Sequence, residues 1–140
     1  MIAFNAAPDY ETKSSFTSTV TATDGLNSST QDITIAVNNL NDNSPVLTSV
    51  TDFTIDENTS AVGTISGSDA DGDVLAYSIN GTDADSLSID SSTGVLSFNE
   101  ITDYETKTSY SLNLIINDGV NSVTNAATIS INNLNDNSPI

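Results

Sequence analysis

Residues 103–119 read DYETKTSYSLNLIINDG. Tyr110, Leu112, Leu114 and Ile116 alternate with mostly polar residues, the two-residue period of a strand with one face buried. Asn117-Asp118-Gly119 ends that run with turn residues, glycine supplying a positive φ. Residues 9–25, DYETKSSFTSTVTATDG, are a second copy of the same stretch. Working outward, Phe4-Asn5 returns as Phe98-Asn99, and the block NNLNDNSP at residues 38–45 returns at 132–139. Every offset is 94 residues, without a gap, a normal size for one β-sandwich domain.

The phase of the repeat sets the expected domains. Residues 46–140 make one complete unit ending in a linker, and residues 1–45 match only the second half of a unit plus its linker. The expectation is a piece of a longer array. In the complete unit, alternation places strands at Phe53 and Ile55, at residues 62–67, at Leu75, Tyr77 and Ile79, at Leu87 and Ile89, at Leu96 and Phe98, along 110–116, and at Ala127, Ile129 and Ile131. Asn80-Gly81 signals a turn, and residues 91–94, SSTG, a hairpin loop. The fold class expected is all-β, a seven-strand sandwich. The half unit is expected to hold three strands, around Phe4, around Phe16, Val20 and Ala22, and around Ile33, Ile35 and Val37, and to be marginal alone.

Composition narrows the function. Two basic residues, Lys13 and Lys107, face 19 acids, 15 of them Asp, for a net charge of −17. Such a chain repels phosphate backbones and anionic membranes. With no His and no Cys, imidazole or thiolate zinc sites, thiol catalysis and a Ser-His-Asp triad are excluded. No apolar run is long enough to span a bilayer, and the N-terminus does not read as a signal peptide. What remains is oxygen, the ligand of hard cations. For Asp32, Asp52, Asp83, Asp85 and Asp90 ordinary turn and capping roles are expected. An EF-hand at residues 69–73 fails, because Val74 and Asn80 stand where its loop needs Gly and Glu. Paired carboxylates arise by chance in so acidic a chain, and no Trp is present as a sugar platform, so no enzyme is expected.

Asn41-Asp42-Asn43-Ser44-Pro45, Asp69-Ala70-Asp71, Asp103-Tyr104-Glu105 and Asp56-Glu57-Asn58, in this order and spacing on a seven-strand pattern, resemble a cadherin repeat. The short Asp-Ala-Asp-Gly-Asp loop and the Thr- and Asn-rich strands look most like the bacterial cadherin-like branch. The resemblance implies a Greek-key cadherin/immunoglobulin-like sandwich with Ca²⁺ between successive domains. At the 38–45 junction it implies Asp9 and Glu11 from the preceding repeat, Asn41, Asp42 and the Asn43 carbonyl from the linker, and Asp69, Asp71 and Asp118 from the following one. At the C-terminal junction it implies Glu57, Asp103, Glu105, Asn135 and Asp136. Asp73 stands open between ligand and turn residue. Where the family usually has Asp before the NDN linker, Asn39 and Asn133 stand here, which implies reduced affinity. Tyr10 and Tyr104 are expected to pack.

The function implied is a calcium-binding, adhesive spacer repeat of a large bacterial extracellular or membrane-associated surface protein, supporting homophilic or cell-surface adhesion. A carbohydrate-binding module of a polysaccharide-degrading system is the alternative. Expected partners are neighbouring cadherin-like repeats, like molecules and surface polysaccharide, with no nucleic acid. Two copies of the last strands compete for one copy of the first strands. Since a strand of eight residues spans roughly 26 Å, the short linker disfavours exchange within one chain and favours a strand-swapped dimer.

Overall fold

The computed structural model describes residues 2–137. The end of the expected second linker, Ser138 and Pro139, lies outside the described residues. The chain divides into two compact units, Met1–Asn41 and Asp42–Ile140.

The first unit is built on one antiparallel hairpin, β1 (Ser15–Thr23) with β2 (Ser28–Ala36). Thr with Val in β1 and Thr with Ile in β2 favour the strands, and Gly25 (φ +95°) makes the turn. The strand expected around Phe4 is not one. Its counterpart, at Phe98, is held between two neighbouring strands, and among the described residues the first unit has no counterpart of either. Phe4 nonetheless packs edge-on against Phe16 at 4.9 Å, as Phe98 packs on Tyr110 at 4.6 Å. The offset of 94 residues therefore survives in side-chain packing where it is lost in hydrogen bonding.

The second unit is an all-β sandwich. It opens with β3 (Val46–Leu47), which pairs antiparallel with β6 (Gly67–Ser68). One sheet then runs in the order β4 (Asp52–Asp56), β11 (Ser122–Asn132), β10 (Ser109–Asn117), β7 (Ala76–Asn80). The other runs β5 (Ala61–Thr64), β9 (Val95–Phe98), β8 (Leu87–Ile89). These two sheets hold the seven strands expected from alternation; the β3–β6 pair is an addition. β4 joins β11 in parallel, while the other pairings are antiparallel. Leu112, Leu114, Ala127, Ile129 and Ile131 face Ile65, Leu87, Leu96 and Phe98 across a core in which each is almost wholly buried. Burying one such aliphatic side chain contributes about 1.5–3 kcal/mol. Tyr104 packs against this core, as expected, whereas Tyr10 is exposed.

The β8–β9 hairpin loop shows how local chemistry fixes a turn. The Asp90 carboxylate accepts from the backbone N–H groups of Ser92 (2.9 Å) and Thr93 (2.8 Å), and Gly94 adopts φ +71°. A Cβ at Gly94 would lie 2.1 Å from the Ile65 carbonyl oxygen, so backbone would have to move. Gly119, with φ +99°, has open space around it. Gly94→Ala should cost about 2–4 kcal/mol, combining a left-handed alanine with a backbone clash. Gly119→Ala should cost about 1 kcal/mol. Thermal melts of both variants check the difference.

Candidate metal centres

The carboxylates gather at the loops that leave the strands of the second unit, and backbone N–H groups hold them. Glu57 follows β4 directly and is only 3% exposed. Its Oε2 accepts from Tyr104 N (2.8 Å) and its Oε1 from Leu134 N (2.7 Å). One side chain thus ties the end of β4 to the 103–107 turn and to the segment after β11. Glu57, Glu105 and Asp136 each bring a carboxylate oxygen to within 4.8 Å of the others. Asn58 Nδ2 donates to Asp136 Oδ2 (2.6 Å), and Asn133 Nδ2 donates to Glu105 Oε1 (3.2 Å). Asn133, where the resemblance would have an acid, therefore brings a donor to Glu105. Asp103 serves its own turn, accepting from Glu105 N (3.0 Å) and Thr106 Oγ1 (2.7 Å). Asn135 lies exposed in the bend after β11.

At the other loops Asp69, Asp71 and Asp73 converge, again with oxygens within 4.8 Å. Asp71 Oδ2 accepts from Asp42 N (3.0 Å) and Asn43 N (2.8 Å), and its Oδ1 from Asn43 Nδ2 (2.8 Å). The linker backbone is thereby docked on one carboxylate. Asp69 Oδ1 accepts from Asp71 N (2.9 Å), while Oδ2 is buried and no donor among the described residues reaches it. Asp118, 6% exposed, accepts from Val120 N (2.8 Å) and Asn121 N (2.6 Å). Asn121 Nδ2 in turn donates to the Asn43 carbonyl (3.2 Å), a support that reading the sequence missed. Asn121 carries no sequence signal of its own, because Asn is common in turns.

In the first unit Asp9 repeats the Asp103 turn, accepting from Glu11 N (3.1 Å) and Thr12 Oγ1 (2.7 Å). Asp24 repeats the Asp118 turn through Leu26 N (2.9 Å) and Asn27 N (2.7 Å). Glu11 is exposed, and Asn41 closes the unit half-buried. Among the aspartates expected to serve ordinary roles, Asp32 accepts from Thr19 Oγ1 (2.6 Å), Asp90 caps its hairpin, and Asp83 pairs with Lys107.

The hydrogen bonds set the protonation behaviour. The Thr106 hydroxyl at Asp103, the Thr12 hydroxyl at Asp9 and the backbone N–H groups at Asp24 and Asp90 each hold the carboxyl below its usual value. At Asp83 the Lys107 ammonium does the same. Asp73 moves the other way: loss of hydration raises it first, then repulsion from Asp69, Asp71 and Asp118. The donor set, oxygen alone with one buried carboxylate oxygen lacking a hydrogen-bond donor, fits a hard divalent cation such as Ca²⁺ and fits no soft metal.

Two predictions follow from these contacts. A group with a lowered folded pKa stabilises the fold above its unfolded value of 3.8 and loses that contribution as the pH falls through the folded pKa. Asp73 is the opposite case: its ionisation opposes folding at neutral pH, and the opposition fades as acid protonates it. In chelator at pH 7, Asp73→Asn should therefore raise the melting temperature, and the gain should shrink as the pH falls through the folded pKa of Asp73. Glu57→Gln replaces an acceptor by an amide N–H₂ facing a backbone N–H, and should cost about 1–3 kcal/mol in chelator. Denaturant titration measures it.

A family model described as "Cadherin domain" matches residues 51–132. Protocadherin Fat 4 of Mus musculus is 36% identical over 116 residues, which is 76% of this chain and 2% of that protein. The Homo sapiens protein of the same name matches equally, at 36% over 116 residues. The chain thus spans about 2% of the length of these relatives. Among solved structures, the extracellular cadherin domains 1–4 of protocadherin gamma B7 superpose with a TM-score of 0.82 at 26% identity, covering 92% of this chain and 34% of that one.

Proposed function

The chain belongs to the cadherin family, and from that premise we propose that it is a calcium-stiffened structural repeat of an extracellular adhesive protein. The observation that carries the proposal is the trio Glu57, Glu105 and Asp136, drawn from three separated parts of the chain and converging on one point. Three carboxylates this close repel when no cation lies between them. A like-charge pair at about 4 Å costs on the order of 1 kcal/mol in bulk water, and more where water is thinned. A divalent cation reverses the sign of that interaction, so stability becomes linked to its concentration.

Glu57, Glu105 and Asp136 would hold Ca²⁺ at the end of the second unit, with Asp103 and Asn135 offering further oxygens; a carboxylate that accepts in a turn still has lone pairs left. At the opposite loops the candidates are Asp42, the Asn43 carbonyl, Asp69, Asp71 and Asp118, joined in the sequence reading by Asp9, Glu11 and Asn41. The role is mechanical. The ion makes the segments that lead out of the sandwich rigid, so that successive repeats transmit orientation. The chain's own part is to position oxygens before the ion arrives, which the backbone donors to Glu57, Asp71 and Asp118 do. Its partners are then neighbouring repeats and, through the parent protein, like molecules on another surface.

Calorimetric titration of the chelated protein is the test. Heat of binding and a melting temperature that climbs with Ca²⁺ are expected; no heat and no shift at millimolar Ca²⁺ would sink the proposal. Glu105→Gln and Asp71→Ala should each weaken binding by roughly tenfold or more at its own set of loops. Asp32→Ala should leave binding unchanged, and equal losses from all three variants would mean that only overall charge was being measured.

A further inference from the structure

The segment joining β9 to β10 lines a cavity of about 370 Å³, together with the 3₁₀ turn Ala84–Ser86 that precedes β8. That volume falls in the range of roughly 300–1,000 Å³ in which proteins hold small ligands. Its apolar lining is the edge-on pair Phe98 and Tyr110, with Ile101, which is 70% exposed. Its charged lining is three carboxylates, Asp85, Glu100 and Asp103, with no Lys or Arg among them.

This lining differs from the cation loops. Asp85 and Glu100 belong to no trio of carboxylates whose oxygens come within 4.8 Å of one another among the described residues, so they do not close on one metal ion. Neither carboxylate has a hydrogen-bond or ion-pair partner among the described residues. The backbone around them is nonetheless pinned. Asn99 Nδ2 donates to the Asp85 carbonyl (3.0 Å), and Asn99 N donates to the Ser86 carbonyl (2.9 Å). Two unpaired acids are therefore held beside aromatic rings.

The protein itself shows what such a combination accepts. Lys107 sets its ammonium 4.6 Å over the Tyr110 ring and pairs with Asp83, the residue just before the same 3₁₀ turn. A cation on an aromatic face, countered by an acid from this turn, is thus already built once. The cavity offers the same ring, with Asp85 in place of Asp83, and supplies no cation of its own.

We propose that this cavity is a docking site for an arginine side chain of a partner protein. The alkyl stem packs on Phe98, Tyr110 and Ile101, and the guanidinium meets Asp85 and Glu100. A guanidinium suits the lining because it stacks on aromatic rings and pairs with carboxylates in a planar fork. The charge argues against a second copy of this segment as occupant: each copy carries −17 and repels the other, and of its two lysines Lys107 is already paired. The contact is separate from the calcium loops and gives the repeat a binding role beyond that of a spacer.

The test titrates the whole isotope-labelled chain, in excess Ca²⁺, with the capped tripeptide Gly-Arg-Gly and follows amide shifts by NMR. Saturable shifts centred on residues 85, 86 and 98–103 are expected. The same tripeptide with citrulline, which keeps the stem and loses the charge, should bind about tenfold more weakly. Asp85→Asn with Glu100→Gln should likewise weaken the arginine peptide about tenfold. Asp32→Asn with Asp52→Asn, an equal loss of charge elsewhere, should change binding by less than about twofold. Three results would overturn the proposal: shifts that do not saturate or that centre on other acidic loops; equal losses from the two double variants, meaning that only overall charge is read; or equal binding of citrulline and arginine.

Discussion

The packing of one hairpin against one sheet is the interaction on which the second unit depends. β10 and β11 turn Leu112, Leu114, Ala127, Ile129 and Ile131 onto Ile65, Leu87, Leu96 and Phe98, and most of the buried apolar side chains among the described residues lie on that plane. With each aliphatic group contributing about 1.5–3 kcal/mol, this layer outweighs any single polar contact at the poles. The carboxylate loops are extensions of its strands. Asp118 sits where β10 turns into β11, Asp136 lies shortly after β11 ends, and Glu57 follows β4, which is itself hydrogen-bonded to β11. A rigid sandwich is therefore what holds like charges close together.

Those charges are held by backbone as well as by proximity. Glu57, Asp71 and Asp118 each accept from two or more backbone N–H groups. Such donors fix the direction of the carboxylate, so the oxygens are presented in place. Asp73 has no such donor among the described residues, and its carboxyl is raised by lost hydration and by its neighbours. The net charge of −17 is thus a set of local arrangements, some balanced by the backbone and some balanced only if a cation binds.

Much of this was legible in residue order. Strict alternation at Leu112, Leu114 and Ile116 places their side chains on one face whatever the rest of the chain does. Local chemistry likewise sets the Asp90 and Asp103 turns, because an Asp accepting from the next few N–H groups needs no distant partner. The strand expected at Phe4 shows the limit of that logic. A strand is completed by neighbours, and Phe98 has β5 and β8 beside it, whereas nothing of the kind flanks Phe4 among the described residues.

The sequence by itself determined the 94-residue repeat, the seven apolar alternations and the presence of an oxygen-only ligand set, because each is a property of spacing and composition. Only the tertiary structure decided that β4 pairs in parallel with β11, that Glu57 reaches Leu134, and that Asp71 accepts from Asp42 and Asn43. These contacts join residues 28 to 77 positions apart. No local period encodes them: they exist because burying one sheet face against another carries the loops, with their charges, to the same ends of the sandwich.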